Sequence, residues 1–185
     1  MSVLKNFESG VTKQYWDLVN PVVQELGYEV YDLDYLSGST TLRLYIRNQE
    51  TKQTDIEDCV KVDHALTTPI QEAEWIPDTF TLEVSSPGIY RNLIKADHFI
   101  ESVGERVEVV GMKKWGELLP DIKWPTELKT VKKLIGVIKG ANENEIEMEI
   151  EKYKNIIKLN YAQISKAHLE PSFEQLMSKS ERMDA

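Results

Sequence analysis

Phe80-Thr81-Leu82-Glu83-Val84-Ser85-Ser86-Pro87-Gly88 decides how the chain divides. Phe80, Leu82 and Val84 alternate with polar residues, the period of two expected of a half-buried strand. The pattern stops at Ser85-Ser86-Pro87-Gly88, because proline lacks a ladder N–H and glycine accepts positive φ. A strand that closes one domain and turns into a second is the predicted arrangement. The boundaries that follow are 1–89 for an N-terminal domain, 90–98 for a linker, 99–173 for a second domain and 174–185 for a tail.

Upstream of this strand the chain reads as α+β. From about residue 7 to 26, Val11, Tyr15, Leu18, Val19, Val22, Val23 and Leu26 follow the three-and-four spacing of one buried helical stripe. Pro21 should kink that helix, and Gly27 should end it. Tyr28–Leu36 and Thr40–Arg47 read as strands around a Ser37-Gly38-Ser39 turn. Thr54-Asp55-Ile56-Glu57 is a capping-box sequence opening a second helix, with Ile56, Cys59, Val60, Leu66 and Ile70 on its apolar side. Helix-strand-strand-helix-strand makes a two-layer domain with both helices on one sheet face.

Downstream, Asp97–Val103 predicts one helical turn. Short alternating runs follow at Arg106–Val110, Leu134–Lys139, Glu145–Ile150 and Ile156–Leu159, with a tight turn at Asn142-Glu143-Asn144. Short strands with frequent breaks predict a small closed all-β barrel. Between its first two strands lies a loop at 111–130 holding Trp115, Trp124 and several lysines, and loops of that length are often functional.

Charge sorts the possible partners. Residues 1–98 carry 8 Lys+Arg against 16 Asp+Glu, whereas residues 99–185 carry 14 against 15. Nucleic-acid affinity comes mainly from neutralising phosphates, so the acidic first half disfavours RNA and favours a basic protein. Only residues 106–139 run the other way, with a local charge of +4. The longest apolar runs are too short to span a membrane, and the first residues lack signal-peptide form. A single cysteine, Cys59, rules out an internal disulfide and fits a reducing cytoplasm.

Catalysis finds little support. His64, His98 and His168 have no partner His or Cys at ligand spacing. Cys59 falls on the apolar side of a helix, and neither Ser85 nor Ser86 sits in a glycine-flanked elbow, so a hydrolase centred on Cys59 or Ser86 is disfavoured. Asp32-Leu33-Asp34 resembles the opening of a calcium loop but lacks the later ligands, and reads instead as a surface strand end. No phosphate loop, dinucleotide fingerprint or Gly-x-x-Gly clamp is present, and no metal or cofactor is expected. The candidate residues are therefore partner-binding ones. Arg43, Tyr45, Arg47 and Glu83 should share the outer face of the first sheet, where cross-strand ion pairs are the simpler reading. Ser85, Ser86 and Arg91 flank the junction. Lys113, Lys114 and Trp115 open the long loop, where tryptophan can stack on bases, grip a protein or pack beneath its own loop.

Four blocks in order resemble the RimP family of ribosome maturation factors. They are Pro21-Val-Val-Gln-Glu-Leu-Gly-Tyr28, Asp55-Ile-Glu-Asp-Cys-Val60, Leu82–Gly88 with Arg91 and Leu93, and Gly136-Val-Ile through Ile164-Ser-Lys-Ala-His-Leu-Glu-Pro171. The chain departs from the family in having Tyr90-Arg91-Asn92-Leu93 in place of Asp-Arg-Pro-Leu, and in its longer loop at 111–130. The resemblance implies an SH3- or Sm-like barrel after the α+β domain. It also implies a non-enzymatic cytoplasmic factor assisting assembly of the small ribosomal subunit. The expected partners are the immature small subunit, its basic ribosomal protein numbered twelve, and rRNA contacted within the particle. The alternative is a general RNA-binding protein using the basic loop.

Overall fold

The computed structural model describes residues 3–173. The tail expected at 174–185 lies outside them. Contacts divide the chain into two compact units, residues 6–88 in one and residues 3–5 with 89 onward in the other.

In the first unit, helix α1 (Gly10–Glu25) leads to strands β1 (Tyr28–Leu36) and β2 (Thr41–Asn48). Helix α2 (Ile56–Glu72) and strand β3 (Thr81–Ser85) follow. The sheet order is β1-β2-β3, antiparallel then parallel. Tyr15, Val19 and Val23 of α1 and Val62 and Leu66 of α2 are buried with Leu33, Leu42, Leu44 and Ile46 of the strands. Pro21 sits inside α1 without ending it, while Gly27, at φ 86°, takes the left-handed turn after the helix.

Helix α2 differs from its sequence reading in register. Its N-cap is Asp55, not Thr54: Asp55 Oδ1 accepts the Asp58 N–H at 2.9 Å, and Asp58 Oδ2 accepts the Asp55 N–H at 3.1 Å. Ile56 and Val60, expected on its apolar side, are exposed at 79% and 49%, and Val62 takes the core position. The helix faces the sheet through Val62 and Leu66, one turn apart, and residues two and six positions before Val62 point elsewhere.

In the second unit, a short helix α3 (Ala96–Ile100) precedes strand β4 (Arg106–Gly111). Two one-turn helices, α4 (Trp115–Leu118) and α5 (Thr126–Lys129), lie before β5 (Lys133–Ala141). Strands β6 (Glu145–Ile150) and β7 (Ile156–Asn160) follow, then a 3-10 turn (Tyr161–Gln163) and β8 (Ile164–Leu169). The strands pair antiparallel in the order β7-β6-β5-β4-β8. No β7–β8 pairing closes the ladder among the described residues, so the expected closed barrel is here a five-stranded antiparallel sheet. Bulges at Val110/Gly111 and Ile138/Gly140 bend it.

Residues 3–5 belong to this second unit although they precede the first unit in sequence. Val3 is buried in its core, and the Lys5 N–H donates to the Ile94 carbonyl at 2.9 Å. The linker expected at 90–98 is also part of it. Asn92 bridges to His168, and the Leu93 N–H donates to the Ala167 carbonyl at 2.9 Å, extending the sheet's pairing along β8.

Candidate functional site

The outer face of the first sheet is built by register. Parallel pairing of β2 with β3 sets Arg43 opposite Glu83, and antiparallel pairing sets Arg47 opposite Glu29. Arg43 Nε donates to Glu83 at 2.6 Å, and that bond raises the guanidinium further above its ordinary pKa. Arg47 Nε donates to Glu29 at 2.6 Å, and its guanidinium stands 5.2 Å from the centre of the Tyr31 ring. Arg47 is only 6% exposed, so it contributes little surface to a partner; Arg43, with half its side chain open, remains available. Tyr45 lies between them, half-buried. The cross-strand ion pairs expected as the simpler reading are present.

Asp32, expected at a surface strand end, is buried at 2% exposure. A bulge between Val30 and Asp32 shifts the register there, and the Asp32 carboxylate accepts the Leu33 N–H at 2.8 Å.

At the junction, the exposed Ser85 hydroxyl donates to the Ser86 carbonyl at 3.2 Å, and Gly88 adopts φ 74°. A side chain at Gly88 would force strain that glycine avoids. Arg91 is half-buried, and its carbonyl accepts the Leu169 N–H at 3.1 Å. Its guanidinium has no ion-pair partner among the described residues. The backbone is therefore fixed while the charge stays available.

The loop at 111–130 is not the open, structureless segment that its length suggested. Trp115 is fully buried, which corrects its reading as a surface for stacking or gripping. Leu118, Leu119, Ile122, Trp124, Leu128 and Val131 pack against the same core, so the loop's apolar residues cover one part of the sheet. The Trp124 indole N–H donates to the Leu119 carbonyl at 2.9 Å, whereas the buried Trp115 indole N–H has no acceptor. Close approach of α4 and α5 requires Gly116, since a Cβ there would stand 2.8 Å from the Lys129 carbonyl. Lys113 and Lys114 remain exposed at the loop's start and make no ion pair among the described residues. Lysines on the strands are engaged instead: Lys133 with Glu108 at 2.8 Å, Lys139 with Glu149 at 3.1 Å and Lys158 with Glu147 at 2.9 Å. Hydrogen bonding from Lys139 holds the Glu149 carboxyl below its usual range.

A further cluster escaped the sequence. Cross-strand pairing brings Glu108 of β4 opposite His168 of β8, and Glu170 follows two residues on. One ligand atom from each lies within 4.8 Å of the others, spacing compatible with a divalent cation. Lys133 already neutralises Glu108, and His168 Nε2 stands 3.2 Å from Glu170, so the residues also balance as a surface network. Only the folded ladder reveals this grouping, because 60 residues separate its halves in the sequence.

Cys59 fits no nucleophilic role. Burial, then the Asp58 and Asp55 charges, push its thiol above the ordinary value and disfavour the thiolate. Among the described residues no helix is long and apolar enough to cross a membrane.

Residues 18–90 match the family model described as the RimP N-terminal domain. The match runs from the second half of α1 through both strands of the hairpin, α2 and β3, and ends just past the Ser-Ser-Pro-Gly turn. It contains two of the sequence blocks that carry the resemblance and Leu82–Gly88 of a third, whose Arg91 and Leu93 lie just beyond it, together with Arg43, Arg47 and Glu83. The first unit thus carries a domain of the RimP N-terminal type.

Proposed function

We propose that this protein assists assembly of the small ribosomal subunit by binding and release, with no bond made or broken. It holds the basic small-subunit ribosomal protein numbered twelve on the immature particle, contacts rRNA there, and acts in the cytoplasm. The observation that carries this reading is the RimP N-terminal match over residues 18–90, on a unit whose charge suits such a partner. Residues 6–88 hold 5 Lys+Arg against 15 Asp+Glu, a net charge of −10, which attracts a cationic protein and repels free polyphosphate. Arg43, Glu83, Ser85 and Ser86 supply polar contacts on the outer face of β2 and β3 and at the exit of β3, and Arg91 supplies one on the second unit. The second unit serves as an SH3- or Sm-like module whose ladder stays open between β7 and β8; its strand order, its two bulges and the 3-10 turn before β8 support that reading.

Sucrose-gradient profiles of a deletion strain test the proposal. Immature small subunits with untrimmed rRNA should accumulate, and capture with the tagged protein should recover those particles. Normal small-subunit assembly at every growth temperature overturns it.

A second reading rests on the unpaired cations of the loop. If Lys113 and Lys114 drive general RNA binding, purified protein should bind unrelated RNA with a steep salt dependence. Replacing both with alanine should then abolish binding.

A further inference from the structure

Strand β3 ends its sheet, with no strand on its other side among the described residues. The Thr81 N–H donates to the Thr40 carbonyl at 3.1 Å, and bonding alternates along a parallel ladder. Residues 81, 83 and 85 therefore face β2, whereas Leu82 and Val84 turn their N–H and C=O groups toward the open edge. Such a row is a template for another strand unless proline, a bulge or charge blunts it. Here no bulge interrupts the β2–β3 register, Glu83 is engaged by Arg43, and the flanking prolines, Pro77 and Pro87, both lie outside the strand.

Beside this edge, between α2 and the start of β3, is a cleft of about 430 Å³. Ile70, Ile76, Phe80 and Leu82 line it with apolar surface, and Asp63 and Asp78 add two carboxylates. Neither aspartate has an ion-pair partner among the described residues. A strand added to an edge sends alternate side chains to opposite faces, so those on the helix side would meet this cleft.

We propose that the β3 edge and its cleft bind an extended lysine- or arginine-rich protein segment by strand addition. Its apolar side chains enter the cleft, and its cations pair with Asp63 and Asp78. The inference rests on the reading that the partner is a basic protein, and adds where that protein docks and in what conformation. The unit's net charge of −10 favours such a segment over nucleic acid at the same edge.

A synthetic octapeptide of alternating Lys and Val, titrated into the full chain, is the probe. It should protect the Leu82 and Val84 amides from hydrogen exchange. Asp63→Asn with Asp78→Asn should weaken binding about fivefold to tenfold. Glu25→Gln with Glu50→Gln, the same charge change on exposed sites away from the cleft, should leave affinity within about twofold. Equal losses in the two double variants, unprotected β3 amides, or the same protection from an RNA oligonucleotide would overturn the proposal. If the ribosomal protein is still captured at full strength by Asp63→Asn with Asp78→Asn, the docking site is wrong and the assembly role survives. If the peptide docks on β3 but no ribosomal component is ever captured, the assembly role is wrong and the docking site survives.

Discussion

The two units bury their sheets in opposite ways. Residues 6–88 cover one face of three strands with two long helices and leave the other face to ion pairs such as Arg43–Glu83. The second unit bends five strands about their own side chains and covers part of the core with a loop carrying only one-turn helices. The first arrangement makes stability local and leaves polar surface at the strands. The second makes it depend on apolar residues far apart in sequence. An apolar residue in a loop thus means something different in each unit: Trp75 is 44% exposed, whereas Trp115 is fully enclosed.

The strongest way to break this contrast is Trp115→Ala. It should cost the second unit about 3–5 kcal/mol, read by denaturant unfolding with hydrogen exchange resolving each unit, while amides of residues 6–88 keep their protection. Trp115→Phe should cost far less, since it also removes the indole N–H that lacks an acceptor. If alanine destabilises both units equally, they do not fold separately.

Gly136→Ala should follow in size. A Cβ there would sit 2.2 Å from the Glu149 carbonyl oxygen across β5 and β6, so strand backbone must shift. A loss of about 1–3 kcal/mol is expected in thermal melts, again confined to the second unit. In the first unit, Asp58→Ala removes the reciprocal cap of α2 and the acceptor of the Tyr28 hydroxyl. It should lower unfolding free energy by about 1–2 kcal/mol.

The same bond gives a pH signature. Hydrogen bonding to Asp58, then burial, raises the Tyr28 phenol from 10.0 to about 12. The folded chain thus keeps a proton that the unfolded chain releases, and stability falls as pH climbs from 10 to about 12. Tyr28→Phe should shallow that decline and also lower the melts below pH 10, where the native chain carries the bond's full contribution. The smallest effect is expected from Arg43→Ala, under about 1 kcal/mol, because the pair with Glu83 is exposed and screened. A larger loss would show that the outer face does more than carry charge.

What could be read in advance was local. Alternation located β1 and β2 to within a residue, and Phe80–Gly88 marked the strand and turn where the units part. Errors arose where distant contacts overrule local pattern. The cap of α2 falls one residue later than the Thr54 box suggests, at Asp55, and its buried face runs through Val62 and Leu66 rather than Ile56 and Val60. Trp115 among lysines looks like a surface motif until Leu118, Trp124 and Leu128 are seen beneath the same loop. Arg43 and Glu83 were placed on one face correctly because strand parity is a short-range property. Glu108 and His168 meet only through the β4–β8 ladder, and no spacing in the sequence encodes that meeting. The open edge of β3 was equally invisible, since being last in a sheet is a property of the whole topology.

Val3 has a consequence for synthesis. Its seat among Leu93, Phe99 and the strands beyond does not exist until those residues have been made. Val3 must then wait, unhoused, while the 6–88 unit assembles behind it.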